Sequence, residues 1–291
     1  MKILRNARAV RVAAATIAAA TMTFPPLAAH AASNDIPSCY AANQLPASAQ
    51  PADRALFIVI DQTTVLDDTL TRELGRQLQT LIVPGTSFQV FMFSAYAQGR
   101  YLQPLGGGYL EPPITDKAVR DSTAVKQLKS LDGCLKSQFT FGTNLAAKAV
   151  GEALQGASGN LAKSDVVGSL ASVSKAVGEA RARVKTVLVV SDMLENSSVS
   201  SFYAQDRMRQ IDADAELQKV QKANIRADFA GASIYVMGAG IVPDVPGKRA
   251  TANYRSTQSL ASLRAFWDGF FAQSNGKLVE FGTPALLTPI R

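Results

Sequence analysis

The chain has 291 residues, 30 basic and 23 acidic, with a formal charge of +7 and a hydrophobic content of 47%. That composition belongs to a globular chain and excludes a disordered one. The single histidine, His30, falls in a segment read below as an export signal. The working protein therefore has no Ser-His-Asp or Cys-His catalysis and none of the common histidine-containing zinc sites.

Residues 1–31 open with Lys2, Arg5, Arg8 and Arg11, continue as an Ala-rich apolar stretch and end in Ala-His-Ala. This is the pattern of a secretory signal peptide cut before Ala32, and it predicts a periplasmic or secreted protein. Pro25 and Pro26 interrupt the stretch, and no later run of ~18 apolar residues follows, so no transmembrane anchor is expected after cleavage. Without this segment 26 basic residues face 23 acidic ones, a balance of +3. No basic stripe with interleaved aromatics remains, so nucleic acid is not an expected partner. In an exported chain the two cysteines, Cys39 and Cys134, are expected to form a disulfide. Two separate buried thiols are the alternative.

Residues 32–54 are rich in Ala, Pro, Ser and Asn without periodicity and read as an N-terminal linker. A regular alternation then begins. Residues 55–60, Ala-Leu-Phe-Ile-Val-Ile, form a short apolar run of strand type. Residues 66–82 place Leu66, Leu70, Leu74, Leu78, Leu81 and Ile82 on one helical face. A second strand is predicted at 87–94, an irregular excursion or edge hairpin at 95–115, and helices at about 117–132, 145–155 and 165–182. Strands at 186–190, 232–238 and 277–281 follow, with helices at 202–225 and 257–273 between them. Strands apolar on both faces that alternate with helices imply a Rossmann-like, doubly wound α/β fold, with a mostly parallel sheet covered on both sides. The domain is expected to span 55–285, with 286–291 as a C-terminal tail.

In such a fold the loops after the strand C-termini share one edge of the sheet. Asp61 follows the first strand and Asp192 follows Thr-Val-Leu-Val-Val-Ser, so neighbouring strands would bring the two carboxylates into one crevice. The competing reading of Asp61, Thr63 and Thr64 is helix capping, with Asp67 and Asp68 suited to the dipole of the first turn.

Three segments, Asp-Gln-Thr-Thr-Val at 61–65, Phe-Gly-Thr-Asn-Leu at 141–145 and Leu-Val-Val-Ser-Asp-Met-Leu at 188–194, occur in this order. Together with the strand–helix rhythm over 55–282, they resemble a von Willebrand factor type A domain. The resemblance implies a metal-ion-dependent adhesion site in which Asp61, Thr63, Thr143 and Asp192 bind Mg²⁺ or Mn²⁺. A protein partner would complete the coordination with an acidic side chain. Val65 departs from the family pattern, since it stands where a second serine is expected and cannot ligate. An oxygen-only set of carboxylates and hydroxyls is what a hard divalent cation prefers. The leading expectation is a binding module and not an enzyme. The alternatives are a metal-free structural or assembly protein of the bacterial envelope and a metal-assisted hydrolase using Asp61 and Asp192.

Overall fold

Apolar runs bounded by polar residues become the inner strands of a six-stranded sheet in the computed structural model. It describes residues 34–46, 52–94, 102–158, 164–204, 207–241 and 256–290, all within the unit Ala32–Arg291. The segment read as a signal peptide lies outside the described residues. The sheet strands are β1 (Ala52–Asp61), β2 (Thr86–Phe93), β3 (Leu102–Tyr109), β4 (Ala182–Val190), β7 (Ser233–Met237) and β8 (Lys277–Phe281). A separate two-stranded ribbon is formed by β5 (Tyr203–Ala204) and β6 (Arg207–Met208). The sheet order is β3-β2-β1-β4-β7-β8, with every neighbouring pair parallel except β2 and β3. The Rossmann-like α/β class expected from the alternation is the one observed.

The helices are α1 (Cys39–Ala42), α2 (Asp68–Leu81), α3 (Lys117–Ser122), α4 (Val125–Gln155), α5 (Val166–Glu179), α6 (Ala213–Lys222) and α7 (Thr257–Gln273). Alternate residues of the inner strands feed two cores. On one face Leu56, Ile58 and Ile60 of β1 pack with Leu70, Leu74 and Leu78 of α2 and with Ala146, Ala149 and Ala153 of α4. On the other, Phe57 and Val59 meet Val166, Leu170 and Val173 of α5 and the aromatic run of α7. Fully burying each large aliphatic or aromatic side chain contributes about 1.5–3 kcal/mol, so the central strands are the best-anchored part of the fold.

Several boundaries differ from the pattern reading, each for a physical reason. The helices expected at 117–132 and 145–155 are largely one 31-residue helix, α4. Gly142 lies inside it, at a point where a Cβ would come within 2.5 Å of Leu110 Cδ2. The glycine admits close packing and breaks nothing. The polar helix expected at 202–225 is confined to α6, because Phe202, Met208 and Ile211 are core residues that draw the preceding segment inward. Within the excursion at 95–115, β3 pairs antiparallel with β2 as an edge strand.

The segments flanking the alternating body also pack. Asp35 N–H donates to Gly107 O at 2.9 Å, and Gly107 N–H donates to Asp35 Oδ2 at 2.9 Å, which covers part of the outer edge of β3. Glu111 accepts from Ser38 Oγ and Cys39 N–H, both at 2.6 Å, and from Gln138 Nε2 at 3.0 Å. Cys39 and Cys134 form the expected disulfide, joining α1 to α4. With 95 residues of sequence separation, loop entropy puts its contribution at about 4–5 kcal/mol. At the other end Leu286 and Ile290 are buried in the α2-side core, and Ile290 N–H donates to Gln77 Oε1 at 3.0 Å.

Candidate functional site at the C-terminal edge of the sheet

Strand register brings the two aspartates together. Ile60 of β1 pairs with Val190 of β4, so Asp61 and Ser191 leave the sheet side by side, with Asp192 next in the chain. Asp61 is fully buried, and both of its carboxylate oxygens are engaged. Oδ1 accepts from Thr63 N–H at 2.8 Å and from Thr63 Oγ1 at 2.7 Å. Oδ2 accepts from Ser191 Oγ at 2.8 Å and from Ser164 Oγ at 3.2 Å. Hydroxyls from three loops, separated by up to 130 residues of chain, therefore converge on one carboxylate.

Asp192 is held from all sides. Its N–H donates to Thr64 Oγ1 at 2.8 Å, its Oδ1 accepts from Leu194 N–H at 2.8 Å, and its carbonyl accepts from Gly240 N–H at 2.8 Å. The Tyr203 hydroxyl also hydrogen-bonds its carboxylate. Met193 adopts a left-handed backbone with φ of 61°, a conformation uncommon outside glycine. Two contacts hold it there: its N–H donates to Ser191 Oγ at 2.9 Å, and Trp267 Nε1 donates to its carbonyl at 2.9 Å. The buried tryptophan of α7 thus links the aromatic core to this loop.

Burial dominates the electrostatics. It raises the Asp61 carboxyl above the usual range, opposed by the hydrogen bonds from Thr63, Ser191 and Ser164. Asp192 is pushed up further, first by burial and then by the charge of Asp61. Tyr203 is raised by burial and by both carboxylates, which keeps its hydroxyl protonated and able to donate. A buried carboxyl whose ionisation is opposed by burial and by a neighbouring carboxylate makes this cluster a candidate functional site.

The residues named from sequence divide clearly. Asp61, Thr63 and Asp192 belong to this cluster. Thr143 does not join it, because it sits within α4, where its hydroxyl donates to Phe139 O and Thr140 O, both at 3.0 Å. The helix runs twelve residues beyond it to Gln155, about 18 Å along the axis at 1.5 Å per residue. Beyond that far end the chain meets the first loop, where Ser158 N–H donates to Gln62 O at 2.8 Å. The hydroxyl from the segment between β3 and β4 comes instead from Ser164. Capping is also separate from the cluster, since Asp67 accepts from Leu70 N–H at 2.8 Å as the N-cap of α2. Val65 is half exposed at the rim.

Ser164, Ser191 and Tyr203 were not singled out from sequence, and Thr64 was read as a helix cap. A signal for the serines exists: Ser191-Asp192 directly follows β4, and the same pair recurs as Ser164-Asp165 before α5. For a hard cation the donor set fits in kind, with two carboxylates for charge and hydroxyls that keep lone pairs while donating to Asp61. Among the described residues no group of three or more His, Cys, Asp or Glu is placed to hold a metal, so a cation here would depend on the hydroxyls. No protein-family model matches the chain, and no curated protein matches it.

Proposed function

We propose that the protein is an exported, von Willebrand type A-like binding module that engages a protein partner through the loops at the C-terminal edge of its sheet. In this reading Asp61, Thr63, Ser164 and Asp192 hold a Mg²⁺ or Mn²⁺ ion. The observation that carries it is the convergence of the Thr63, Ser164 and Ser191 hydroxyls on Asp61, beside the second buried carboxylate of Asp192. The divalent ion supplies, when bound, charge compensation and a position for a partner's carboxylate. The chain's own residues do the rest. Asp61 gathers the three loops, Thr64 fixes the backbone of Asp192, and Leu194 N–H holds its carboxylate.

A second reading, a cation-free assembly module of the envelope, draws on different contacts. Leu194 N–H and the Tyr203 hydroxyl already satisfy Asp192, and Val65 replaces an expected ligand with an apolar rim residue. Calorimetric titration of the purified protein with Mg²⁺ and Mn²⁺, beside Asp61→Ala, separates the two. Saturable heats lost in the variant support the cation reading. Equal heats in both proteins exclude Asp61 as a ligand. Capture of partners from envelope extract with and without chelator then tests whether the ion carries the contact.

A further inference from the structure

Glu195, three residues beyond Asp192, is 1% exposed and has no role in the cluster around Asp61. Its Oε2 accepts from Val167 N–H at 2.8 Å in the first turn of α5, and its carbonyl accepts from Phe202 N–H at 2.8 Å. Its Oε1 has no hydrogen-bond partner among the described residues. One side chain therefore spans two segments, the loop after β4 that carries Asp192 and the segment before α5 that carries Ser164. A second tie runs beside it, from Asn196 N–H to Ser164 O at 2.9 Å.

A carboxyl group this deeply buried, with Oε1 unpartnered and no cation beside it among the described residues, favours its neutral form, because burial costs the charged form more hydration than its few donors return. We infer that Glu195 is a protonation-controlled latch: neutral, it closes the loop at 195–202 onto the start of α5; ionised, it lets that loop come away.

The groups acting on Glu195 agree with this. From the α5 side it faces the Asp165 carboxylate, which repels the charged form and is itself engaged as N-cap by Gly168 N–H. From its own loop it faces the Ser197 hydroxyl, which favours the charged form, as do the backbone N–H groups at the start of α5. No lysine or arginine pairs with it among the described residues, whereas the nearby Glu216 has both Arg209 and Lys219. Burial outweighs the favourable contacts and raises the carboxyl to about 8. The latch is thus closed below neutrality and opens through mildly alkaline pH. This concerns the loop itself and holds whether or not the cluster takes a cation.

Hydrogen exchange of the purified protein at pH 6 and pH 9, beside Glu195→Gln, tests the latch. The amides of Val167 and Phe202 should exchange equally in the two proteins at pH 6, and at least tenfold faster in the wild type at pH 9. The emission of Trp267, the chain's one tryptophan, should shift with a midpoint near pH 8 in the wild type alone. Equal exchange at both pH values with no emission shift overturns the inference. Should the variant not fold, the wild type decides: protection of Val167 and Phe202 relative to Ile58 in β1 should fall about tenfold from pH 6 to pH 9. A constant ratio overturns the inference equally.

Discussion

Two carboxylates in this molecule gather distant segments, and they do so on different terms. Glu111 holds Ser38, Cys39 and Gln138 at a half-buried position, and the disulfide fixes the same contact covalently. Asp61 holds Thr63, Ser164 and Ser191 in complete burial, with a second carboxylate beside it and no covalent support. The first arrangement secures a joint that leaves no buried anion pair. The second keeps two acidic groups where their ionisation is opposed, a cost that a purely structural joint has no need to bear. That contrast is the physical ground for proposing a functional role for the edge with Asp61.

The comparison is sharpened first by breaking the covalent joint. Replacing both Cys39 and Cys134 with serine should lower unfolding free energy by about 4–5 kcal/mol in denaturant titrations, while any cation affinity of the distant edge stays unchanged. Removing the other hub comes next. Asp61→Ala strands three buried hydroxyls and should cost about 2–4 kcal/mol, with loss of any cation heat.

The buried Glu195 gives the third effect, and its sign is opposite to that of a paired carboxylate. Its folded value of about 8 lies above the ordinary 4.5, so the native state binds the proton more tightly than the unfolded chain. The corresponding stability is present in full below about pH 4.5 and is lost as pH rises to about 8, a total on the order of a few kcal/mol. Thermal midpoints of Glu195→Gln should therefore gain on the wild type between pH 5 and pH 8.5. The smallest pair of effects concerns the two hydroxyls. Ser164→Ala should cost about 1 kcal/mol through one lost buried hydrogen bond, and Thr143→Ala less than about 0.5 kcal/mol, as expected for a partly exposed helical position.

That last pair also shows where sequence reading reached and where it ran out. The alternation of apolar runs and helical faces was enough for the α/β class, because central parallel strands such as Val187 to Val190 must be apolar on both sides. Asp61 and Asp192 were legible for the same reason, since Asp61 ends one such strand and Asp192 lies two residues beyond the end of another. Ser164 was not, because its partnership depends on where the chain turns after α4, and residues 95–165 carry few positional signals. Thr143 was chosen because Phe-Gly-Thr-Asn-Leu fits the motif order of the resemblance, but that stretch lies inside α4, where Gly142 packs against the Leu110 side chain of a neighbouring segment. Local pattern does not contain that contact. The short ribbon of β5 and β6 was hidden in the same way, since the charges around it suit a solvated helix until Phe202 is known to be core.

The central claim is that oxygens from three loops act as one site, and side-by-side Mg²⁺ and Mn²⁺ titrations of the wild type, Asp61→Ala, Ser164→Ala and Thr143→Ala test it most directly. The account predicts saturable binding in the wild type and Thr143→Ala, weaker binding in Ser164→Ala and none in Asp61→Ala. Loss of binding in Thr143→Ala with Ser164→Ala unaffected, or identical heats in all four proteins, would contradict it.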